Sequence, residues 1–359
     1  MDAALGVSSY QRISESVGTE AVTAALTDSF SKAAMISANG QITKQTVMNH
    51  VRKCCPAGNV STGEIKSVPV LHLDADEDHV PMQDGSNRMI PIASIYEGLR
   101  VVCGKKNPRR ECINVFHHSE SEITEDFWDN VYDEVTKRYD LRNTEIYVHC
   151  DGAAWIQRAS EVFPGCRFVL DNYHKNQYVK RLFTGCKANE CREARRLVRE
   201  AFQTENYAAL KEAGEQLLAH APEHQKAITE SLAYLLEHLH SICIRNTDEE
   251  AQNGGATEPH VSHVLSSRLS SRPLGWSAKT LEHLVPMLAE KTVKYAPKEE
   301  KQSCIPKEIF SAAQVFRKNV RKSGFRHFGL VDPDKSVIPS VVSNGLVTGT
   351  YELIKSFGR

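Results

Sequence analysis

Three acidic side chains stand at positions where a folded backbone can bring them into one cleft. Asp76 lies near the end of a first strand, within LDADEDHV, Asp151 ends the strand EIYVHCD, and Glu258 begins a helix. Their carboxylates would form an oxygen-rich site of the kind that hard cations such as Mg²⁺ select. Two such ions can activate a water or a 3′-hydroxyl and stabilise the leaving oxygen of a phosphodiester. The three acids therefore predict phosphodiester chemistry that depends on two Mg²⁺ or Mn²⁺ ions.

Each acid also has a simpler interpretation, because acids at strand ends are commonly exposed loop residues. Asp74 and Asp78 compete with Asp76, since side chains two residues apart share one face of a strand. Asp76 is preferred because the segment from Val80 onward reads as the start of a second strand. Asp151 has the stronger support, since an apolar strand closes there on Asp-Gly.

Histidines offer two further candidates. His174 follows another strand end, in LDNYHKNQYVK, and a histidine there can orient an acid or a scissile phosphate. The alternative is a packing or surface histidine. His220 and His224 have the i, i+4 spacing of half a zinc-binding helix. Pro222 lies between them, so we expect no metal at this pair.

Composition indicates an ordinary globular chain of more than one small domain. The chain has 359 residues, of which 41% are hydrophobic and 25% charged. It has no apolar run long enough to span a membrane, and its start does not read as a secretory signal. None of the 10 cysteines forms a Cys-x-x-Cys motif, and the nearest separated pair is Cys186 and Cys191. We therefore expect reduced thiols in the cytoplasm, without disulfides or a zinc knuckle.

Charge is distributed unevenly along the chain. The formal net charge is −1, but Pro259–Arg359 contains 16 Lys and Arg against 8 Asp and Glu. Residues 301–330 are especially basic and could contact phosphates. A solvated helix face is the alternative. Arg268 and Arg272 follow Glu258 by ten and fourteen residues and are candidates for gripping DNA beside the acids.

The N-terminal region reads as a helix-turn-helix. Residues 20–53 are helical, with a break at Asn39-Gly40 and with Thr43 as the N-cap of the second helix. A plain packing hairpin is the alternative. The residues expected to be exposed on the second helix are Lys44, Gln45, His50, Arg52 and Lys53, and DNA contact is assigned to Lys44, Gln45, Arg52 and Lys53.

The order of elements predicts an α/β fold with an RNase H-like core. Residues 1–55 form the helix-turn-helix region, and 56–69 read as a linker. From residue 70 to 359, three strands are followed by helix, strand, helix, strand, a helical block at about 180–250, and a final helix. This order is expected of an RNase H-like sheet with an all-α insertion.

Two helices of this core have clear apolar faces. The helix at TEDFWDNVYDEVTKRY carries aromatic residues that we assign to the core rather than to base stacking, and the helix that starts at Glu258 turns an apolar face inward. These residues are Phe127, Trp128 and Tyr132 in the first helix, and Val261, Leu265 and Leu269 in the second.

Four segments of the chain resemble a known family. They are LHLDADEDHV, VHCDGAAWI, LDNYHKNQYVK and GGATEPHVSHVLSSRLSSRPLGWS. They resemble the ISLre-two family of insertion-sequence transposases, part of the wider DDE group, from about residue 10 to about residue 280. The last segment is the most specific, although the family has Gly where this chain has Pro259.

The resemblance implies an RNase H-like fold with a helical insertion before the third acid. It also implies metal-dependent DNA cleavage and strand transfer at element ends. Carried over by position, the catalytic and metal-binding triad falls on Asp76, Asp151 and Glu258, and Asp171-x-x-His174 matches a motif of related transposases. The implied partners are the terminal inverted repeats of an element, target DNA and further copies of the chain, in a bacterial cytoplasm with nucleoid association on DNA.

Two other functions compete with transposition. A catalytically inactive or truncated relic would bind DNA in a salt-dependent way and cleave nothing with any divalent ion. An RNase H-type nuclease would cleave without sequence preference. A glycosidase built on a carboxylate pair is less favoured, because three acids with basic flanks suit phosphate rather than sugar chemistry.

Overall fold

The computed structural model of the protein describes residues 12–58, 64–103, 109–187, 190–255, 257–272 and 275–295, without the side chains of residues 103, 109, 257 and 258. All of these residues belong to the first of two compact units, Met1–Glu300. The basic segment at 301–330 lies outside the described residues. Among the described residues, no helix is both long and apolar enough to cross a bilayer.

Three helices and then seven strands open the described part of the chain, helices and strands alternate from α4 to β10, and helices make up most of the rest. The α-helices are α1 (Glu15–Thr27), α2 (Phe30–Ala38), α3 (Lys44–Val51), α4 (Phe127–Thr136), α5 (Ala154–Gln157), α6 (Ala159–Val162), α7 (Asn172–Leu182), α8 (Arg192–Thr204), α9 (Tyr207–His220), α10 (Gln225–Glu237), α11 (Leu239–Thr247), α12 (Glu249–Gln252), α13 (Thr257–Val261), α14 (Ser267–Leu269) and α15 (Ala278–Glu290). The strands are β1 (Cys54–Cys55), β2 (Lys66–Ser67), β3 (Val70–Pro81), β4 (Asn87–Tyr96), β5 (Leu99–Cys103), β6 (Arg109–Cys112), β7 (Phe116–Ser119), β8 (Tyr139–Asp140), β9 (Glu145–Cys150), β10 (Arg167–Leu170) and β11 (Lys294–Tyr295).

A mixed five-stranded sheet, in the order β10–β9–β3–β4–β7, carries the candidate site. Strands β3, β4 and β7 form an antiparallel meander, and β9 and β10 add in parallel beside β3. The mixed α/β class and the switch from meander to parallel strands agree with the sequence prediction. The prediction that a second strand begins at Val80 is wrong, because β3 runs without interruption to Pro81 and pairs with β4 over this length.

Apolar helices cover one face of this sheet. Helices α4, α5 and α6 share a core with Leu71, Leu73 and Val148. Phe127 and Trp128 are buried in this core, and Tyr132 packs against it. The core assignment of these aromatic residues is confirmed.

The helical block after β10 has a hydrophobic core of its own. Helices α7 to α11 contribute to it, with Leu197, Leu210, Ile228 and Leu235 fully or almost fully buried. A 3₁₀ turn, Pro222–His224, connects α9 to α10. The all-helical texture predicted for this part of the chain is confirmed.

The N-terminal helices form a hairpin at the predicted place. Asn39 ends α2 in the left-handed region (φ 46°), Gly40 follows with φ 76°, and the Thr43 hydroxyl accepts from the N–H of Thr46 at the start of α3. These helices share their core with the far ends of β3 and β4 and with α15, so they pack directly on the rest of the unit. The predicted linker includes β2, which pairs in parallel with β8.

The segment after Glu258 turns its apolar residues inward as predicted. It runs from α13 through a π-helical turn, Ser262–Ser266, into α14. The buried residues on its inward face are Val261, Leu265 and Leu269.

Candidate active site

Three carboxylates lie in one row across three neighbouring parallel strands. The last paired positions of β3 and β9 are residues 74 and 149, so Asp76 and Asp151, each two residues further on, stand at the same level. Asp171 follows the last residue of β10 and donates its backbone N–H to the carbonyl oxygen of Cys150 in β9, 3.0 Å away. Because equivalent positions of adjacent parallel strands face the same side, the three acids share one face. We call Asp76, Asp151 and Asp171 the acid row.

The surroundings of Asp76 oppose the ionisation of its carboxyl group. Burial raises the pKa of Asp76 to about 7, and the neighbouring charge of Asp151 acts in the same direction. The Glu77 N–H, which donates to Asp76 Oδ1 at 2.8 Å, only partly offsets this. Burial and a nearby negative charge both oppose ionisation of a carboxyl group, and a divalent cation beside it would favour the ionised form. The oxygen donors therefore fit a hard cation such as Mg²⁺.

His174 is fixed beside the acid row by Asp171. The Asp171 carboxylate caps α7, accepting from the His174 N–H at 2.8 Å through Oδ1 and contacting His174 Nδ1 at 2.7 Å through Oδ2. This contact raises the pKa of His174, and the charges of Asp151 and Asp76 act in the same direction. His174 therefore lies near enough to Asp76 and Asp151 for their charges to act on its imidazole ring. A protonated imidazole held there can donate to a phosphate oxygen.

The backbone of Glu258 lies in α13, which packs against β3, but its side chain lies outside the described side chains. Two residues on, His260 Nε2 is 3.7 Å from Asp74 Oδ2. Shortly before it, Gly255 donates its N–H to the hydroxyl oxygen of Tyr96 at 2.9 Å. The chain on both sides of Glu258 therefore lies against the sheet face that carries Asp74.

The two acids that compete with Asp76 have other partners. Asp74 is buried, and its Oδ1 accepts from the Tyr96 hydroxyl at 2.8 Å. Asp78 is buried as well and accepts from the Ser270 hydroxyl at 2.8 Å. Asp74 and Asp78 are therefore engaged with Tyr96 and Ser270, whereas Asp76 stands level with Asp151 in the acid row.

A buried pair of histidines lies on β3 and β9, the strands that position Asp76 and Asp151, and on the same face of the sheet. His72 Nδ1 and His149 Nε2 are 3.1 Å apart, and both rings are completely buried. Burial lowers the pKa of His72 to about 4 and that of His149 well below its ordinary range, so both are neutral. A Cβ placed on Gly254 would lie 2.1 Å from His149 Nε2. The absence of a side chain at residue 254 thus lets the segment leading to Glu258 lie directly on the histidines.

The helical block reaches the acid row, which the sequence did not indicate. The Tyr234 hydroxyl of α10 donates to the backbone carbonyl of Asp151, and its ring stacks on Tyr178 with centroids 3.6 Å apart. Gly152 has a φ of 94°, and a Cβ on it would lie 2.4 Å from His238 Cε1. Asp-Gly in the sequence pointed to this turn, but nothing marked Tyr234 as its partner.

Comparison with known proteins assigns the chain to a family. A family model described as "Uncharacterised protein family (UPF0236)" matches residues 1–296. The chain belongs to the UPF0236 family. Two UPF0236 proteins of Caldanaerobacter subterraneus subsp. tengcongensis are 34% and 33% identical to it, each over 79% of this chain. The chain spans 59% of the length of each of these relatives.

In this UPF0236 chain, some of the predicted DNA-contacting residues are used inside the fold. Arg268 is buried, donates through Nε to the Ala25 carbonyl oxygen at 2.7 Å, and lies over the ring of Trp276. This corrects its assignment to DNA, because a guanidinium held in the core does not reach a phosphate. His50, expected on the surface, is buried against Tyr295.

Arg52 is also engaged within the protein. Its Nη2 donates to the hydroxyls of Ser277 and Thr280, each at 3.1 Å. This contact links α3 to the start of α15 and holds the half-buried Arg52 against the protein. The predicted DNA-contacting residues that the structure leaves exposed are Lys44, Gln45, Lys53 and Arg272.

Proposed function

We propose that this protein is a DDE-type transposase that catalyses metal-dependent DNA strand cleavage and strand transfer at the ends of an insertion sequence. The observation that carries the proposal is the level alignment of Asp76 and Asp151 on adjacent parallel strands. Burial, with the charge of Asp151 acting in the same direction, raises the pKa of Asp76. Glu258 would complete the triad from α13. Divalent ions, Mg²⁺ or Mn²⁺ and two in number, would supply activation of the attacking oxygen and stabilisation of the leaving one.

Strand order supports an RNase H-like core. The sheet begins with an antiparallel meander and continues with two parallel strands on the far side of its first strand. The helical block lies between β10 and α13, which is where the resemblance to insertion-sequence transposases expects an insertion. Tyr234 gives the block a positioning role, since it donates to the carbonyl of Asp151.

His174 would bind the scissile phosphate or orient an acid of the row. Its Nδ1 is occupied by Asp171, and the raised pKa keeps a larger share of the ring protonated at neutral pH. The matching spacing of Asp171 and His174 to the motif of related transposases supports this role.

The α2–α3 hairpin supports a helix-turn-helix that binds double-stranded DNA. Lys44, Gln45 and Lys53 are exposed on or just after α3, and Arg272 is exposed after α14. Such side chains would contact phosphates and base edges of the terminal inverted repeats. Strand transfer needs paired ends, so we propose that the chain works as a homo-oligomer.

One relative adds support of a different kind. The name of the UPF0236 protein at 34% identity joins eleven locus tags of one genome. A gene present at many loci in one genome is expected of a mobile element.

The decisive test is a cleavage assay on duplex DNA that carries the inverted repeats flanking the gene. Wild-type protein should nick or join this DNA with Mg²⁺ or Mn²⁺ and not with EDTA. Asp151→Asn should abolish cleavage and leave DNA binding largely intact. Asp84→Asn, which changes an exposed aspartate in the β3–β4 turn, is the matched control and should cleave like wild type.

Three results would redirect the assignment. Cleavage by Asp151→Asn at the wild-type rate would remove the acid row from the chemistry. Salt-dependent binding without cleavage by any divalent ion would identify a DNA-binding relic. Equal cleavage of terminal-repeat and random DNA would identify a nuclease without sequence preference.

A further inference from the structure

A second cluster of potential metal ligands lies in the helical block, away from the acid row. Cys186 follows α7, Cys191 precedes α8, and His220 ends α9. The two Sγ atoms and an imidazole nitrogen of His220 all lie within 4.8 Å of one another. The two cysteines are free thiols, and Cys191 is buried. Three side chains from two separate helix junctions thus converge on a point that a single ion could occupy.

The spacing of these residues matches a known kind of site. Cys186 and Cys191 are separated by four residues, and His220 and His224 by three. Structural zinc sites typically combine a Cys-x₂₋₄-Cys pair with a His-x₃₋₅-His pair. Taken separately, neither pair predicted a metal, but the structure brings the cysteine pair together with His220. We propose that Cys186, Cys191, His220 and His224 form a structural zinc site.

His224 lies outside the group of three converging ligands, with its Nε2 3.7 Å from Glu223 Oε1, and would turn toward the ion to become the fourth ligand. It ends the 3₁₀ turn Pro222–His224, with its N–H donating to the Ala221 carbonyl oxygen at 3.0 Å. A Cβ on Gly185 would lie 2.9 Å from His224 Nε2, so this nitrogen stands beside the residue that precedes Cys186. Gly185 has a φ of 80°, which turns the chain sharply into the first cysteine.

Glu190 is the competing fourth ligand. Its Oε2 is 3.4 Å from His220 Nε2, and its other oxygen is 3.5 Å from Lys187 Nζ. The chemistry favours His224, because two thiolates and two neutral imidazoles together balance the charge of Zn²⁺. Thiolate and imidazole ligands also select Zn²⁺ over the hard cations that suit the acid row.

The proposed zinc site would stabilise the structure and take no part in the reaction. It would hold the end of α7 to the end of α9, and α7 is the helix whose first turn carries Asp171 and His174. The helical block has its own core, and a metal tie adds binding free energy to its folded state. The proposal does not depend on the function proposed above, since its readout requires neither DNA nor Mg²⁺.

The test measures zinc in the full chain purified without chelators. Elemental analysis should find about one Zn²⁺ per chain, the stoichiometry of a single four-ligand site. Cys186→Ser should reduce the content to background. Cys166→Ser, which changes a half-buried cysteine in the sheet core, is the matched control and should retain zinc.

A second measurement covers the case in which Cys186→Ser does not fold. Wild-type protein loaded with Co²⁺ should show the visible bands of a tetrahedral ion and a thiolate-to-cobalt charge-transfer band. Thiol modification of wild-type protein should release zinc to a colorimetric chelator.

Several results would overturn the proposal. They are a folded wild-type chain without stoichiometric zinc, full zinc content in folded Cys186→Ser, or a Co²⁺ spectrum without a thiolate band. A Cys186–Cys191 disulfide in protein purified under reducing conditions would do the same. If Glu190→Gln loses zinc while His224→Gln keeps it, the assignment of His224 is wrong.

Discussion

The raised pKa of Asp76 predicts that replacing a candidate catalytic acid stabilises the protein. The ordinary pKa of the group is 3.8, and the folded state holds it at about 7 because of burial and the charge of Asp151. Between these values, the unfolded chain is ionised while the folded chain is protonated, so unfolding releases a proton. The stability of the wild-type fold is therefore lost as pH rises from about 4 through about 7.

The size of the effect follows from the same two values. One pKa unit corresponds to about 1.4 kcal/mol, so the full cost of ionising Asp76 in the fold is about 4 kcal/mol. About two-fifths of this cost is already present at pH 5, because the unfolded group ionises near pH 3.8. Asp76→Asn removes the titration. Relative to wild type, the variant should thus gain about 3 kcal/mol in free energy of unfolding between pH 5 and pH 8.

Urea unfolding in EDTA at pH 5 and pH 8 measures this gain. Asp84→Asn is the control, since that exposed carboxyl has its pKa lowered by the Ser86 hydroxyl and should give no such gain. Added Mg²⁺ at pH 8 should stabilise wild type more than Asp76→Asn, because a ligand that binds the folded state raises its stability. A variant-to-wild-type difference that stays constant between the two pH values would refute the reasoning.

Three further predictions concern the surroundings of the acid row. Arg268→Ala should lower the free energy of unfolding by about 2–3 kcal/mol, since it removes a buried charged hydrogen bond. The exposed Arg272→Ala should change the free energy of unfolding by less than about 0.5 kcal/mol and reduce the salt dependence of DNA binding. Urea unfolding and salt-titrated DNA binding check both variants, and equal stabilities of the two would contradict the burial of Arg268. Tyr234→Phe should lower the free energy of unfolding by about 1 kcal/mol, because it removes the hydrogen bond to the Asp151 carbonyl. It should lower the cleavage rate more than the DNA affinity. A cleavage rate equal to that of wild type would show that Tyr234 does not position Asp151. Gly152→Ala should destabilise by more than about 1 kcal/mol, because its left-handed backbone strains an alanine; calorimetry giving an unchanged Tm would contradict this.

The elements around the site could be predicted from local patterns. The segment LDADEDHV was read as a strand and lies in β3, and Thr43 was read as the N-cap of α3. Strand ends and the Asp-Gly turn located Asp151 beside Asp76. These signals depend on neighbouring residues in the chain, which the sequence displays directly.

Side chains whose environment comes from distant elements could not be predicted. Arg268 and His50 read as surface residues because each lies next to polar neighbours in sequence. Helices α1 and α2 bury the first, and Tyr295 covers the second. Tyr234 lies 83 residues from the carbonyl it contacts. The proposed zinc ligands could not be recognised for the same reason, since only the fold brings the cysteine pair next to His220.

The two faces of β3 support the proposal that the acid row has a functional role. Leu71, Leu73 and Ala75 are fully buried on one face, and His72 and Asp74 are buried on the other. Burying polar groups costs free energy unless each is paired, and apolar residues would cover the second face more stably. His72 Nε2 is buried without a hydrogen-bond partner among the described residues, which adds to that cost. Buried polar side chains next to a carboxyl group with a raised pKa are expected at a functional site, where local stability is lower than apolar residues would give. Asp76→Asn should therefore raise the stability of the protein while lowering its cleavage activity.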